Sequence, residues 1–165
     1  MGFWERKPYR RLIMENILLA LGALCNHCKK TGRILETAEN IVTQELLENG
    51  LANQYRSAET EWETTWSARI KKLWTDKKIQ EAFQEKHKIQ FPGESLPYFM
   101  ANLERVEHPQ YTATDADIVR VKVKTTGIID AEYEFAGQEL TLTDTGGQRN
   151  ERRSMLIVIR FLTPL

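Results

Sequence analysis

The residues best suited to chemistry in this 165-residue chain are Asp144-Thr145-Gly146-Gly147-Gln148-Arg149, directly after the strand-like run Leu140–Thr143. A carboxylate at a strand end can hold magnesium through water, a following glycine leaves its amide open to a terminal phosphate, and a neighbouring glutamine can orient an attacking water. Taken alone, a glycine-rich turn after a strand is common. A second stretch lies upstream, Arg120-Val121-Lys122-Val123-Lys124-Thr125-Thr126-Gly127. A threonine hydroxyl in such a loop can ligate magnesium while basic side chains face phosphate oxygens. The same composition also suits a solvated linker between a helical and a β segment.

Other candidate chemistry is thinner. Cys25 and Cys28 form a Cys-x-x-Cys pair around His27, but zinc needs four ligands and no second pair follows, with His87 and His108 standing apart. The pair falls in the last turns of an apolar helix, where small thiols pack well. No Ser-His-Asp or Cys-His arrangement stands out, and the scattered carboxylates read as helix surfaces.

These segments must be positioned by the elements around them. Leu12, Ile13, Ile17, Leu18, Leu21, Leu24 and Cys28 recur at three- and four-residue spacings, which predicts a long helix over 9–30 that is apolar nearly all round at its middle. Pro8 suits its start and Gly32 its stop. Shorter amphipathic helices are predicted at Thr37–Tyr55, Ser67–Trp74, Asp76–Lys86 and Ser95–Val106, gathered around the first, with Trp62, Trp66 and Trp74 as packing residues. Pro92-Gly93 and His108-Pro109 punctuate the last two helix boundaries, and Thr114-x-x-Asp117 predicts one short helical turn. After Gly127 the period changes to two: Ile129, Ala131, Tyr133 and Phe135 alternate, Gly137 interrupts, and Leu140 and Leu142 resume, which predicts a hairpin. Two strands need further strands or a helix to cover them, and the apolar run Leu156–Phe161 is a candidate third strand.

Lys plus Arg and Asp plus Glu both number 23, so no global field favours nucleic acid or an anionic membrane, and any anion site must be local. No run of apolar residues reaches transmembrane length, and residues 1–6 lack a signal-peptide pattern, which predicts an intracellular, cytoplasmic chain. Gly2 does not make a myristoylation signal, because Arg6 stands where Ser or Thr is wanted.

In combination the two loops are specific. Lys124-Thr125-Thr126-Gly127-Ile128, a hairpin, then Asp144-Thr145-Gly146-Gly147-Gln148-Arg149-Asn150-Glu151-Arg152-Arg153 resembles switch I and switch II of the heterotrimeric G-protein alpha subunits. Trp74, Phe83 and the Tyr98-Phe99…Leu103 helix resemble that family's helical domain, and Glu5-Arg6-Lys7-Pro8-Tyr9-Arg10 its entry linker. The resemblance runs from residue 2 to about 153 and is strongest over 120–153. It implies an all-α helical insertion domain over 1–119. Switch I, a β-hairpin and switch II of a P-loop GTPase α/β domain would follow over 120–155, and a divergent tail over 156–165.

The resemblance also implies roles. Thr125 and Asp144 match magnesium ligands, and Gly147 matches the amide that senses the γ-phosphate within the turn Thr145-Gly146-Gly147. Gln148 matches the water-positioning glutamine. Val119, Arg120, Val121, Lys122, Val123 and Lys124 match the linker and switch I backbone around the nucleotide, which Glu94 and Ser95 face from the helical domain. Arg149, Arg152 and Arg153 match the switch II helix that contacts the beta–gamma dimer. Implied with these are Mg2+, GTP or GDP, a G-protein-coupled receptor, signal transduction and, through partners, the inner face of the plasma membrane.

Three departures qualify this. Lys122 stands where the family has its cis-acting arginine, keeping the charge but not the two-pronged fork, with Arg120 as a substitute that could reach across. No G-x-x-x-x-G-K-[ST] and no Asn-Lys-x-Asp occurs in the sequence. Ser154-Met155 replace the family's Lys-Trp. The expectation is a truncated alpha chain that neither binds nor hydrolyses GTP alone, against the alternative of a non-catalytic helical protein-interaction module.

Overall fold

Helix α1, Tyr9–Lys30, is the central element of the helical unit. Ile13, Met14, Ile17, Leu18, Ala20, Leu21, Leu24, Cys25 and Cys28 are all buried along it, while Leu19 is 36% exposed. Each fully buried Leu or Ile contributes about 1.5–3 kcal/mol relative to exposure, which explains why so apolar a helix takes the centre. It ends where Gly32 adopts φ 70°, with the Arg33 N–H donating to the Cys28 carbonyl (2.9 Å) and the Gly32 N–H to the Lys29 carbonyl (3.1 Å), the paired bonds of a Schellman stop.

In this computed structural model, residues 9–57, 62, 64–123, 128–135 and 138–145 are described. Packed against α1 are α2 (Ala38–Glu48), α3 (Leu51–Ser57), α5 (Lys77–Gln84), α6 (Leu96–Ala101) and α7 (Leu103–Glu107); α4 (Thr64–Thr75) packs on α2, α5 and α7, and α8 (Asp115–Arg120) is the last α-helix among the described residues. Among the described residues no helix is long and apolar enough to cross a membrane.

Several predicted boundaries are corrected. The single helix expected over Thr37–Tyr55 is two, because Gly50 turns the chain at φ 85°, a conformation that breaks helical propagation. The helix expected over Ser95–Val106 divides at Asn102, whose side-chain amide donates to the Tyr98 carbonyl (2.9 Å) and competes with the next helical turn. The helix expected over Asp76–Lys86 is α5 followed by a 3-10 turn at Lys86–Lys88. Asp76 begins α5 by accepting from the Lys78 N–H (2.9 Å), and it also accepts from the Glu36 N–H and the Asn40 amide (both 2.8 Å), fastening α2 to α5. The turn expected at Thr114 is the six-residue α8 with a complete capping box, Thr114 and Asp117 each receiving the other's main-chain N–H.

Trp62 and Trp74 serve packing. Trp62 meets Tyr55 edge-on at 5.6 Å and donates to the Ser67 hydroxyl (2.7 Å), and Trp74 meets Phe83 edge-on at 5.2 Å. Cys25 and Cys28 are buried thiols. Burial, then the neighbouring Cys28, pushes Cys25 far up, and burial pushes Cys28 up to about 11, so both are protonated packing groups at neutral pH.

The described residues form two compact units that divide between Lys122 and Val123. In the second, β1 (Ile128–Phe135) pairs antiparallel with β2 (Gln138–Thr145), Ile128 opposite Thr145 and Phe135 opposite Gln138. The candidate strand Leu156–Phe161 lies outside the described residues.

Candidate functional site

A cleft of about 130 Å³ opens between the middle of α1, the Phe91–Ser95 loop, α6 and the end of α8. Asn16, Gly93, Glu94, Ser95, Arg120 and Lys122 line it, over an apolar floor of Ile17, Leu96 and Phe99. The loop reaches this position because Gly93 lies flat on α1: a Cβ there would come within 2.2 Å of the Ala20 Cβ. Only a hydrogen side chain fits, and the close approach sets Glu94 and Ser95 at the cleft mouth. Glu94 is exposed and ion-paired with Lys86 at 2.6 Å. With that carboxylate already paired, Arg120 and Lys122 leave the cleft biased toward anions.

Behind the cleft stands a buried carboxylate. Asp117 has no exposed surface and accepts from both arms of Arg105 (2.9 and 2.8 Å), from the Tyr98 hydroxyl (2.9 Å), the Tyr111 hydroxyl (2.8 Å) and the Thr114 N–H and hydroxyl (each 2.8 Å). Burial pushes its carboxyl up, but Arg105, Thr114 and Tyr111 outweigh that and hold it well below the usual carboxylate range. Reciprocally, the bond to Asp117 raises Arg105, and burial followed by the bond to Asp117 raises Tyr111. The ring of Tyr98 then carries the Arg120 guanidinium 4.6 Å from its centroid, and Arg120 also donates to the Ala116 carbonyl (3.0 Å). The carboxylate thus orients the tyrosine that carries one of the cleft's cations.

Beyond Arg120 the Val121 N–H closes α8 on the Asp117 carbonyl (2.9 Å), and the Val121 side chain is buried. Lys122 is then held by Asn16, whose amide donates to the Lys122 carbonyl (3.0 Å) and accepts from the Lys122 N–H (3.0 Å).

The structure therefore brings Glu94, Ser95, Arg120 and Lys122 into one cleft. Arg120 belongs to the last turn of α8 rather than to the linker. Val119 (83% exposed) and Val123 (54% exposed) do not line the cleft. Asp144 and Thr145 end β2, their main chains paired opposite Ile129 and Ile128. Lys124, Thr125, Gly146, Gly147, Gln148, Arg149, Arg152 and Arg153 lie outside the described residues. Sequence reasoning missed Asn16, Tyr98 and Arg105 as site-forming residues. For Asn16 the signal was present: an amide between Ile13 and Ile17 on a helix otherwise apolar along that side.

A family profile described as "G-protein alpha subunit" matches residues 2–160. The chain is 30% identical over 153 residues to the Caenorhabditis elegans "Guanine nucleotide-binding protein G(o) subunit alpha", covering 92% of the chain and 42% of the relative. It is 36% identical over 87 residues to the "alpha-3 subunit" of that organism (53% of the chain, 24% of the relative). To its "alpha-16 subunit" it is 28% identical over 161 residues (98% and 44%). The chain thus spans less than half the length of these relatives. By the match over residues 2–160, it belongs to the G-protein alpha subunit family.

Proposed function

We propose that the chain supplies the helical insertion domain (1–119) and the switch I, hairpin and switch II segments (120–155) of a guanine nucleotide-binding alpha subunit that relays receptor signals. The observation that carries this is the convergence of Glu94, Ser95, Arg120 and Lys122, from two distant stretches of sequence, on one cation-bearing cleft. At about 130 Å³ the cleft is well below the ~300 Å³ at which small-molecule pockets usually begin, which suits one wall of a nucleotide site better than the whole of it.

In this reading Arg120, anchored on Tyr98, holds the site's edge. Lys122 projects toward the phosphates and offsets charge that develops on the transferred oxygens. Gln148 orients the attacking water, and the N–H groups of Gly146 and Gly147, which follow Asp144 and Thr145, donate to the terminal phosphate. Thr125 and Asp144 would hold Mg2+, an oxygen-seeking ion suited to a hydroxyl and a carboxylate acting through water, and the ion would supply positive charge to offset that of the phosphates. Arg149, Arg152 and Arg153 present a basic face to the beta–gamma dimer, which with a G-protein-coupled receptor brings the chain to the inner face of the plasma membrane.

The test is a graft of residues 2–160 into the C. elegans G(o) alpha relative in place of the segment it matches. Fluorescent GTP-analogue binding and single-turnover hydrolysis are then measured with and without magnesium. The expected result is magnesium-dependent binding and slow hydrolysis by the graft. The isolated 165 residues, which contain no G-x-x-x-x-G-K-[ST], should not bind up to the millimolar range. A folded graft that binds no nucleotide overturns the reading in favour of a non-catalytic helical interaction module.

A further inference from the structure

We infer that Asn16 is a positioning residue for Lys122, clamping both main-chain polar groups of that residue to the central helix and so fixing where the cation of the cleft is rooted. This rests on the nucleotide reading of the cleft.

The geometry leaves the amide little choice. Asn16 Nδ2 donates to the Leu12 carbonyl (2.7 Å) one turn back and to the Lys122 carbonyl (3.0 Å), while Oδ1 accepts from the Lys122 N–H (3.0 Å). A carbonyl can only accept, so the Leu12 bond fixes which end of the amide is nitrogen and turns the oxygen toward the Lys122 N–H. A flipped amide would face two carbonyls with an oxygen. Both amide hydrogens are used, and the side chain mimics one rung of a β-ladder across a separation of 106 residues.

The clamp takes over where helical support stops. Helix α8 closes with the Val121 N–H, and Lys122 lies outside helix and strand, leading into residues 124–127. Helix α1 is a rigid footing, with Ile13 and Ile17 on either side of Asn16 at 0% and 1% exposure. Asn is a poorer helix former than Ala, a cost that helix formation alone does not explain and two bonds to a remote segment do. The two cleft cations are thereby rooted separately, Arg120 through its side chain on Tyr98 and Lys122 through its main chain on Asn16. Among the described residues Lys122 is held through its backbone, which keeps its side-chain rotamers for an incoming anion.

Site-resolved amide exchange on the 165-residue chain tests the clamp, with Asn16→Ala and Asn16→Asp as variants. In the unaltered chain the Lys122 amide should exchange at least tenfold more slowly than in an unstructured peptide. Asn16→Ala should abolish that protection while leaving the amides of α5 unchanged, and Asn16→Asp, which retains the acceptor, should keep part of it. A Lys122 amide unprotected in the unaltered chain overturns the inference without any variant. In the graft, Asn16→Ala should slow single-turnover hydrolysis by up to about 100-fold, the scale of a misplacement near 1 Å, with analogue affinity within about threefold. Adding Asn16→Ala to Lys122→Ala should then slow hydrolysis no further, because the clamp acts through that lysine. Multiplying losses in an active graft overturn the positioning role alone, whereas a graft inert with Asn16 intact overturns the nucleotide reading and the positioning role with it.

Discussion

Replacing Asp117 by asparagine tests whether the buried carboxylate organises the site. The six contacts divide unevenly: Oδ1 receives one arm of Arg105 and Tyr98, whereas Oδ2 receives the other arm, Tyr111 and both donors of Thr114. An asparagine must place its oxygen on the Oδ2 side and its NH2 against Arg105 and Tyr98. One charge-assisted bond is then lost, worth about 1.5–3 kcal/mol, and Tyr98 must rotate its hydroxyl. Breaking a fully buried ion pair costs about 3–5 kcal/mol, but the Arg105 side chain is 38% exposed and water relieves part of its stranded charge. The expected destabilisation at pH 7 is about 2–4 kcal/mol, read from urea denaturation followed by helical circular dichroism. The pH dependence gives a second check. Asp117 is depressed in the fold, so the unfolded chain binds the proton first, and the stability it confers is fully present above the unfolded pKa of about 3.9 and is lost as pH falls toward its folded value. The gap between the two proteins should narrow by about 1 kcal/mol between pH 7 and pH 3. Glu85, held down to about 2 by His27, Arg33 and then Lys88, titrates alike in both proteins and cancels from the difference. A gap below about 0.5 kcal/mol at pH 7, the size of an ordinary surface substitution, or one that does not change with pH, would refute this account.

Gly93→Ala should destabilise the bundle by about 1–3 kcal/mol, since its Cβ collides with α1, and Ala20→Gly should recover part of that loss; additive melting shifts would mean that the collision is not the cause. Neither Cys25 nor Cys28 should react with a thiol reagent in the folded chain at pH 7, and both should react in denaturant, so rapid native labelling would contradict their protonated, packed state. In the graft, Lys122→Arg should speed single-turnover hydrolysis at least about tenfold, because the guanidinium restores a two-pronged grip. The ceiling is the roughly 10³–10⁵ by which an arginine finger acts in this family of GTPases, a scale taken from the family and not from this structure. An unchanged rate would show that Lys122 does not face the transferred group.

How much of this was legible beforehand depends on the range of the forces involved. The central helix was, because its extent follows from local periodicity and from a glycine stop that acts within a turn. Where a break depends on one main-chain angle or one side-chain bond, as at Gly50 and Asn102, the apolar period runs straight across it and predicts one helix instead of two. Thr114 and Asp117 announce a helix start by their spacing, yet nothing local reveals that the same carboxylate also receives Arg105, twelve residues earlier, and Tyr98, nineteen residues earlier. Glu94, Ser95, Arg120 and Lys122 were found through family resemblance, which carries positions but not the contacts that hold them. Those contacts are long-range: Gly93 on Ala20 and Asn16 on Lys122 join α1 to segments more than seventy residues away, and sequence spacing cannot encode them. They also follow a common logic. Each cleft residue outside regular helix, a loop carboxylate or a linker lysine, is tied to the most buried helix of the unit. The most buried helix therefore does more than fill the core: through a glycine contact on one side and an amide on the other, it sets the distance across the cleft.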